Sequence, residues 1–187
     1  MHKHLPNIFI FLDEYDNQIF KIKKLNIGVI YRNYKDTNRE KNLVKIAKAC
    51  KKSSYQLFVS NDMKLTLRVK ANGIYIPSFN TTRKFCNLEK KNITIIGSAH
   101  NQKEIKMKIS QNCSAIFLSP IFRVEKSKTF LGLHKFNYLR QINNIKILAL
   151  GGVSEKNIRK LKLLSIKGFG GISIFKKKPA FIQGRFL

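Results

Sequence analysis

The sequence predicts an α/β fold, a (β/α)8 TIM barrel that is short and has some of its outer helices reduced. Eight short apolar runs recur along the chain, as expected for strands buried in a parallel sheet. Stretches with helical spacing of apolar residues lie between several of these runs. Strand–helix alternation indicates a parallel sheet, and eight strands close a barrel. The chain has 187 residues, fewer than the roughly 250 of a typical barrel.

The predicted strands are rich in Ile, Val, Leu and Phe, the composition of strands buried on both faces. They cover residues 8–12, 27–31, 56–60, 73–76, 93–97, 115–119, 145–150 and 171–175. No linker, repeat or low-complexity tract divides the chain, so we expect residues 1–187 to form a single domain.

Three helices are predicted from their first residues. Thr37 with Glu40 has the spacing of a capping box, and Asn101 with Glu104 indicates a second helix, which carries Ile105 and Ile109 on its apolar face. A third helix is expected to begin at a capping Ser after the seventh strand. Only weak or irregular helical patterns occupy 13–26, 77–92 and 123–134.

Glycines follow the last two predicted strands. The run 145–150 stops at Gly151 and Gly152, and a second glycine-rich stretch covers 168–171. Glycine lets main-chain N–H groups approach an anion, and a helix N-terminus attracts it. Barrel enzymes often hold a phosphate after their seventh and eighth strands, so the pattern predicts a phosphate site there.

The formal net charge is +27, which raises the question of a nucleic-acid partner. The basic residues are mostly Lys, they are scattered along the chain, and we find no recognisable RNA-binding or DNA-binding motif. We therefore predict non-specific polyanion binding at low salt. A non-catalytic phosphate or nucleic-acid binder remains an alternative function at this point.

Cysteine usage and the apolar runs favour a cytoplasmic protein. Cys50, Cys86 and Cys113 share no CxxC spacing, so we expect free, buried thiols rather than a metal site. The longest apolar runs have seven to nine residues, too few to span a bilayer, so no membrane association is expected. The first residues do not have the pattern of a signal peptide.

The residues that follow the predicted strands are cationic and rich in hydroxyl groups. In a parallel barrel they meet at one end, where barrel enzymes carry their chemistry. This set suits an anionic, phosphorylated ligand. It includes Arg32, Ser60, Asn61, Asp62, Asn80, Ser98, His100, Ser119 and Lys128.

Four segments of the chain resemble, in order and spacing, those of thiamine phosphate synthases and their TenI relatives. Residues 58–76 resemble "V-N-D…A…A-D-G-I-H-L", and residues 96–104 resemble "G-x-S-x-H…E". Residues 115–133 are similar to "G-P-V-F-x-T…S-K…L-G", and 148–157 to "A-I-G-G-I…N". The resemblance covers roughly residues 27–175 and implies a (β/α)8 barrel.

The resemblance implies a thiamine biosynthesis enzyme that couples hydroxymethylpyrimidine pyrophosphate with thiazole phosphate, giving thiamine phosphate and pyrophosphate. It implies a pyrophosphate-binding Arg at Arg32, a phosphate-binding Lys at Lys128, and Ser98 near the pyrophosphate. Gly151, Gly152 and Ser173 would hold the thiazole phosphate. Ser60, Asn61 and Asn80 complete the predicted substrate-binding set. Family members commonly associate, which implies a homodimer.

The family's magnesium site is altered in this chain. Its two Asp positions, after the third and fourth strands, are Asn61 and Asn80 here. Asn offers only a neutral carbonyl, whereas Mg²⁺ prefers carboxylate oxygens. Asp62, one residue along, is the remaining candidate ligand for Mg²⁺ and would need a shifted loop.

A second activity on the same fold needs no metal. TenI-type thiazole tautomerases aromatise the thiazole by proton transfer, with a His in the "S-x-H" position. His100 matches that position, and His is the natural proton shuttle near neutral pH. The predicted catalytic set is therefore His100, Arg32 and Lys128, and the synthase and tautomerase reactions both remain open.

Overall fold

The fold is described from a computed structural model of the chain. The structure describes residues 4–22, 26–125, 127, 129–171 and 174–175. None of the helices in these ranges is long and apolar enough to cross a membrane.

Eight parallel strands form a closed barrel in which each strand pairs with the next and β1 pairs with β8. The strands are β1 (Ile8–Leu12), β2 (Ile27–Tyr31), β3 (Gln56–Ser60), β4 (Gly73–Ile76), β5 (Thr94–Ala99), β6 (Ala115–Leu118), β7 (Lys146–Ala149) and β8 (Phe169–Gly171). The predicted barrel is confirmed, and the first four strands have the predicted bounds.

The predicted position of the eighth strand is wrong. β8 begins at Phe169 rather than Gly171, and Ile174 and Phe175 are helical. The strand consists largely of glycine, a residue with low strand propensity, which concealed it in the sequence. Glycine is needed because a Cβ at Gly170 would come within 2.9 Å of the Phe11 ring inside the barrel.

The outer layer is uneven. In the described part of the chain it contains four α-helices: α1 (Arg39–Lys52), α2 (Met63–Arg68), α3 (Gln102–Ser110) and α4 (Gly132–Gln141). Short 3₁₀ segments stand where other helices would be, at Ile19–Lys21, Cys86–Lys91 and Ile158–Leu164. The expectation of reduced outer helices is therefore confirmed, although the helix expected after Ser154 is a 3₁₀ segment.

The predicted capping box at Thr37 and the predicted helix start at Asn101 have different outcomes. The box at Thr37 is wrong, because α1 begins one residue after Asn38, whose side chain makes no capping hydrogen bond. The helix start at Asn101 is confirmed: Asn101 Oδ1 accepts from the Glu104 main-chain N–H at 3.0 Å, and Glu104 accepts from the N–H of His100, the residue before the cap, at 2.8 Å. α3 is thus anchored directly beside His100.

Aromatic rings fill the inside of the barrel. Phe9 packs edge-on against Phe117 with ring centroids 5.0 Å apart, and it lies 5.5 Å from Phe58. Phe11 and Tyr75 continue this stack toward the carboxyl ends of the strands, with centroids 5.4 Å apart. The barrel is therefore a packed core, and its chemistry is restricted to the rim above it.

The cysteines behave largely as expected. All three thiols are free, Cys50 and Cys113 are buried, and Cys86 is half-buried. Burial raises the pKa of Cys50 and of Cys113 to about 12, so both remain neutral thiols at physiological pH. They belong to the hydrophobic core.

Candidate active site at the strand ends

The barrel places the predicted site residues on one rim, because the carboxyl ends of all its parallel strands point the same way. This rim carries Arg32, Ser60, Asn61, Asn80, Ser98, His100, Gly151 and Gly152. Lys128 and Ser173 lie outside the described residues, so their assigned roles stay predictions.

Arg32 directly follows β2 and is oriented by two contacts. Its Nε donates a hydrogen bond to Asp13 Oδ1 at 3.1 Å, and its guanidinium carbon lies 5.7 Å from the centroid of the Phe11 ring. The side chain is 37% exposed. Its terminal nitrogens have no acceptor among the described residues, which leaves them available for an anionic ligand.

Arg39 is a second guanidinium near the rim, and sequence reasoning missed it. It is the first residue of α1, and its Nη2 donates to the main-chain oxygen of Ser60 at 2.6 Å. The guanidinium lies over the rings of Tyr31 and Tyr34, 6.0 and 5.3 Å from their centroids. Its Nε is buried without a hydrogen-bond partner in the described structure. Nothing in the sequence distinguished this Arg from the solvent-facing cations of α1.

Asn61 and Asn80 form an amide pair. Asn80 Nδ2 donates to Asn61 Oδ1. Asn80 Oδ1 accepts in turn from the main-chain N–H of Thr82 at 2.8 Å and from its hydroxyl at 3.0 Å. Asn61 has a left-handed backbone with φ of 57°, a conformation that Asn adopts more readily than most residues. Both amide oxygens are thus engaged within the protein.

Asp62 caps α2, and both of its carboxylate oxygens have partners within the protein. Its Oδ1 accepts from the main-chain N–H of Leu65 at 2.9 Å, and its Oδ2 lies 4.0 Å from Arg39 Nη1. Across the described residues, no three His, Cys, Asp or Glu side chains come together as a metal site. The donors at these strand ends therefore do not fit a divalent cation held by two carboxylates.

Two hydroxyl pairs line the same side of the rim. Tyr75 donates from its OH to Ser98 Oγ at 2.8 Å, and Tyr34 OH is hydrogen-bonded to Ser60 Oγ. Burial raises the pKa of Tyr75 to about 12 and also raises the pKa of Tyr34, so both phenols keep their protons. Ser98 Oγ accepts the hydrogen bond from Tyr75 OH and keeps its own hydroxyl hydrogen for another acceptor.

His100 follows β5 with a defined ring orientation. Its Nδ1 lies 2.7 Å from the main-chain oxygen of Ser119, and its Nε2 lies 3.1 Å from Ser78 Oγ. A carbonyl oxygen can only accept, so Nδ1 carries a hydrogen. In the neutral ring, Nε2 is then the basic nitrogen, and Ser78 donates to it. This arrangement suits a proton acceptor at Nε2.

The glycine loop after β7 exposes main-chain groups. Gly151 and Gly152 have φ of 89° and 70°, which favour glycine. A Cβ at Gly151 would lie 2.8 Å from Pro120, and one at Gly152 would lie 2.6 Å from the main-chain oxygen of Phe122. Asn157 Nδ2 donates to the Gly152 oxygen at 2.8 Å and fixes the loop. The N–H groups of both glycines have no acceptor in the described structure, as an anion site requires.

Two concavities lie away from this rim. A groove of about 860 Å³ runs between the 3₁₀ segment Ile19–Lys21 and α1. Tyr15, Phe20 and Tyr55 stack in it, and lysines line it. The second, of about 790 Å³, lies at the start of β7. Neither is lined by a predicted site residue.

Comparison with known proteins assigns the chain to a family. The family model described as thiamine monophosphate synthase matches residues 22–175. The chain belongs to this family. The resemblance predicted from four sequence segments is therefore confirmed.

Individual relatives agree with this assignment. The chain is 30% identical over 169 residues to the thiamine-phosphate synthase of Prochlorococcus marinus subsp. pastoris, covering 83% of this chain and 47% of that protein. It is 26% identical to the putative thiamine-phosphate synthase 2 of Aquifex aeolicus, covering 83% and 86%. The chain thus spans about half the length of the Prochlorococcus relative and most of the Aquifex one.

Solved structures share the fold. The thiamine phosphate pyrophosphorylase of Pyrococcus furiosus superposes with a TM-score of 0.71 at 15% identity, covering 89% of this chain and 85% of that one. The thiamine phosphate pyrophosphorylase of Bacteroides thetaiotaomicron gives a TM-score of 0.59 at 16% identity, covering 93% and 86%. At these identities the likeness concerns the barrel alone.

Proposed function

We propose that the protein is a thiamine phosphate synthase-like transferase. It joins hydroxymethylpyrimidine pyrophosphate to thiazole phosphate and releases thiamine phosphate and pyrophosphate. The observation that carries this proposal is the common position of the family-like residues. Arg32, Ser98 and Gly151 come from three separate segments of a family member, and each stands at the carboxyl end of its strand on one rim.

The pyrophosphate end of the reaction belongs to the β2–β5 side of the rim. The bond between the pyrimidine-bearing carbon and the pyrophosphate oxygen breaks, and the electron pair leaves with the pyrophosphate. The developing negative charge needs fixed cations and hydrogen-bond donors. Arg32 offers its terminal nitrogens and Ser98 its hydroxyl hydrogen, and both are held in place by Asp13 and Tyr75.

The acceptor substrate belongs to the glycine loop. Its phosphate accepts from the N–H groups of Gly151 and Gly152, which have a left-handed backbone and no acceptor in the described structure. With its phosphate held there, the thiazole nitrogen attacks the carbon that has lost pyrophosphate and forms the new C–N bond. Positioning two bound substrates makes this step effectively unimolecular.

The test is a coupled assay on purified protein. Both substrates are supplied with EDTA or with Mg²⁺, and thiamine phosphate is followed. We expect thiamine phosphate to form. Arg32→Met should lower kcat/KM about a hundredfold, because a charge-assisted contact to the leaving group is lost. Arg68→Met is the matched control, since Arg68 pairs with Glu40 on the outer helices. No product under either condition would contradict the proposal.

Thiazole tautomerisation is the second candidate, and the His100 geometry specifically favours it. The Ser119 carbonyl holds the ring with Nε2 as its basic nitrogen. Nε2 would remove a proton from the non-aromatic thiazole and return it at a second position, with no metal involved. Supplying that tautomer and following its aromatisation tests this reaction. Loss of about a hundredfold in His100→Asn, with thiamine phosphate formation absent, would assign the chain to the tautomerase side.

A further inference from the structure

Lys108 is a fully buried lysine in the last turn of α3. Its Nζ donates to three oxygens: the main-chain oxygen of Pro77 at 2.8 Å, the main-chain oxygen of Asn80 at 2.7 Å, and Gln111 Oε1 at 2.9 Å. All three partners are neutral. The reactions described above give this lysine no role.

The three partners define its protonation state. Each is an acceptor, because Gln111 uses its Nε2 to donate to the oxygens of Asn80 and Thr82, at 3.0 and 2.7 Å. Three acceptors need three N–H donors, which only the ammonium form supplies. Burial lowers the pKa of Lys108 from its ordinary value, while this full set of acceptors favours the charged form.

The ammonium lies behind the amide pair. Pro77 and Asn80 belong to the loop that follows β4, and Asn80 reaches from that loop to Asn61. A buried cation without a carboxylate partner is costly, so neutral hydrogen bonding alone does not account for it. A neutral donor could bridge the same carbonyls at lower cost. What the ammonium adds is a positive charge next to the loop that follows β4.

We propose that Lys108 is the resident cation of this side of the rim, a positioning residue whose charge favours the pyrophosphate without a divalent ion. It holds the loop after β4 in place and raises the electrostatic potential at the Asn61–Asn80 pair. The buried ammonium and the amide pair fit each other. Carboxylates at positions 61 and 80 would neutralise the ammonium, and the ammonium would repel a divalent cation bound there. The identity of the anion as pyrophosphate rests on the proposed function.

The first measurement is the affinity for inorganic pyrophosphate in EDTA by calorimetry. We expect Lys108→Met to bind about tenfold more weakly than the unmutated protein, since a unit charge near the ligand is lost. Lys106→Met is the matched control, because it removes the same charge from the exposed face of the same helix. It should change the affinity less than about twofold. Equal affinities for the unmutated protein and Lys108→Met would overturn the proposal.

The second measurement separates charge from simple loop support. Asn61→Asp/Asn80→Asp is made with and without Lys108→Met, and Mg²⁺ binding is measured by calorimetry. Removing the ammonium should tighten Mg²⁺ binding about tenfold, because a like charge is gone. A purely structural lysine predicts the opposite, since a loosened loop binds the ion less well. Unchanged or weaker Mg²⁺ binding without the lysine would overturn the proposal.

Both measurements remain decisive if Lys108→Met does not fold or if the proposed function is wrong. Lys108→Gln keeps amide donors for the loop carbonyls without the charge, and the same two results are expected of it. Neither readout requires turnover. Thiamine phosphate formation that needs Mg²⁺ in the unmutated protein, with pyrophosphate affinity indifferent to Lys108, would preserve the function and overturn the inference. The expected affinities in a protein that forms no thiamine phosphate would support the inference and contradict the proposed function.

Discussion

Two sides of the same rim are built from different parts of the chain. On the amide side, after β3, β4 and β5, side chains bond to one another: Asn61 to Asn80, Tyr75 to Ser98, and His100 to Ser78. On the glycine side, after β7, the main chain itself forms the surface. A side-chain network can be altered one group at a time, whereas a main-chain surface is lost when any side chain is added.

The largest effect is expected on the glycine side. Gly152→Ala places a Cβ 2.6 Å from two main-chain oxygens at a left-handed φ of 70°. Strain and overpacking together should lower the free energy of unfolding by about 3 kcal/mol. Urea unfolding measures the loss. Phosphate binding, followed by calorimetry on the protein that remains folded, should be lost as well.

Gly132→Ala is the control for the backbone contribution. Gly132 has a nearly identical φ of 68°, but nothing lies within 4 Å of its Cβ position. Its replacement should cost about 1 kcal/mol, the left-handed penalty alone. Equal losses at the two glycines would show that space at Gly152 is not limiting, and the contrast between the two sides would weaken.

An intermediate effect is expected on the amide side. Asn61→Asp/Asn80→Asp without Mg²⁺ replaces a hydrogen bond with two facing carboxylates. The like charges raise the pKa of at least one of them in the folded state. Stability is then unaffected below the unfolded pKa of about 3.9 and falls as pH rises through the raised folded value. The loss should reach about 2 kcal/mol at pH 7.

The single variant Asn61→Asp separates charge from shape. Its carboxylate still accepts from Asn80 Nδ2, so stability should change by less than about 0.5 kcal/mol. Thermal unfolding from pH 3 to pH 8 checks both variants. A double variant whose stability does not fall with rising pH would mean that the two side chains do not face each other.

The smallest effect is expected at the end of β2, outside both the amide side and the glycine side of the rim. Asp36 accepts from Tyr31 OH at 2.8 Å and from Asn42 Nδ2 at 2.6 Å, and it thereby anchors the start of α1, which carries Arg39. The hydrogen bonds from Asn42 and Tyr31 lower the pKa of Asp36. The stability gained is present at neutral pH and lost as pH falls through the lowered folded pKa.

Asp36→Asn should therefore lower the melting temperature slightly at pH 7, and the difference from the unmutated protein should shrink in acid. Calorimetric melts at pH 7 and pH 3 measure it. A difference that grows in acid would contradict the assigned role. A loss of stability as large as that of Gly152→Ala would mean that the end of β2 is as sensitive to a single substitution as the glycine side.

The sequence was sufficient for the barrel because its strands are nearly continuous apolar runs, and family-like segments placed the rim. It was insufficient where a residue departs from its usual environment. In α3 the spacing predicted Ile109 on the apolar face, yet Ile109 is exposed and Lys108 is buried. A lysine that is buried on neutral carbonyls cannot be told from a solvated one without its partners in space. Arg39 was missed for the same reason.

The glycine loop follows β7, next to the strand that closes the ring. β8 pairs with β7 on one side and with β1 on the other, so it joins the last strand of the barrel to the first. A ligand that binds only the folded protein stabilises that protein by mass action. A phosphate bound at Gly151 and Gly152 would therefore stabilise the closed ring as well as position a substrate.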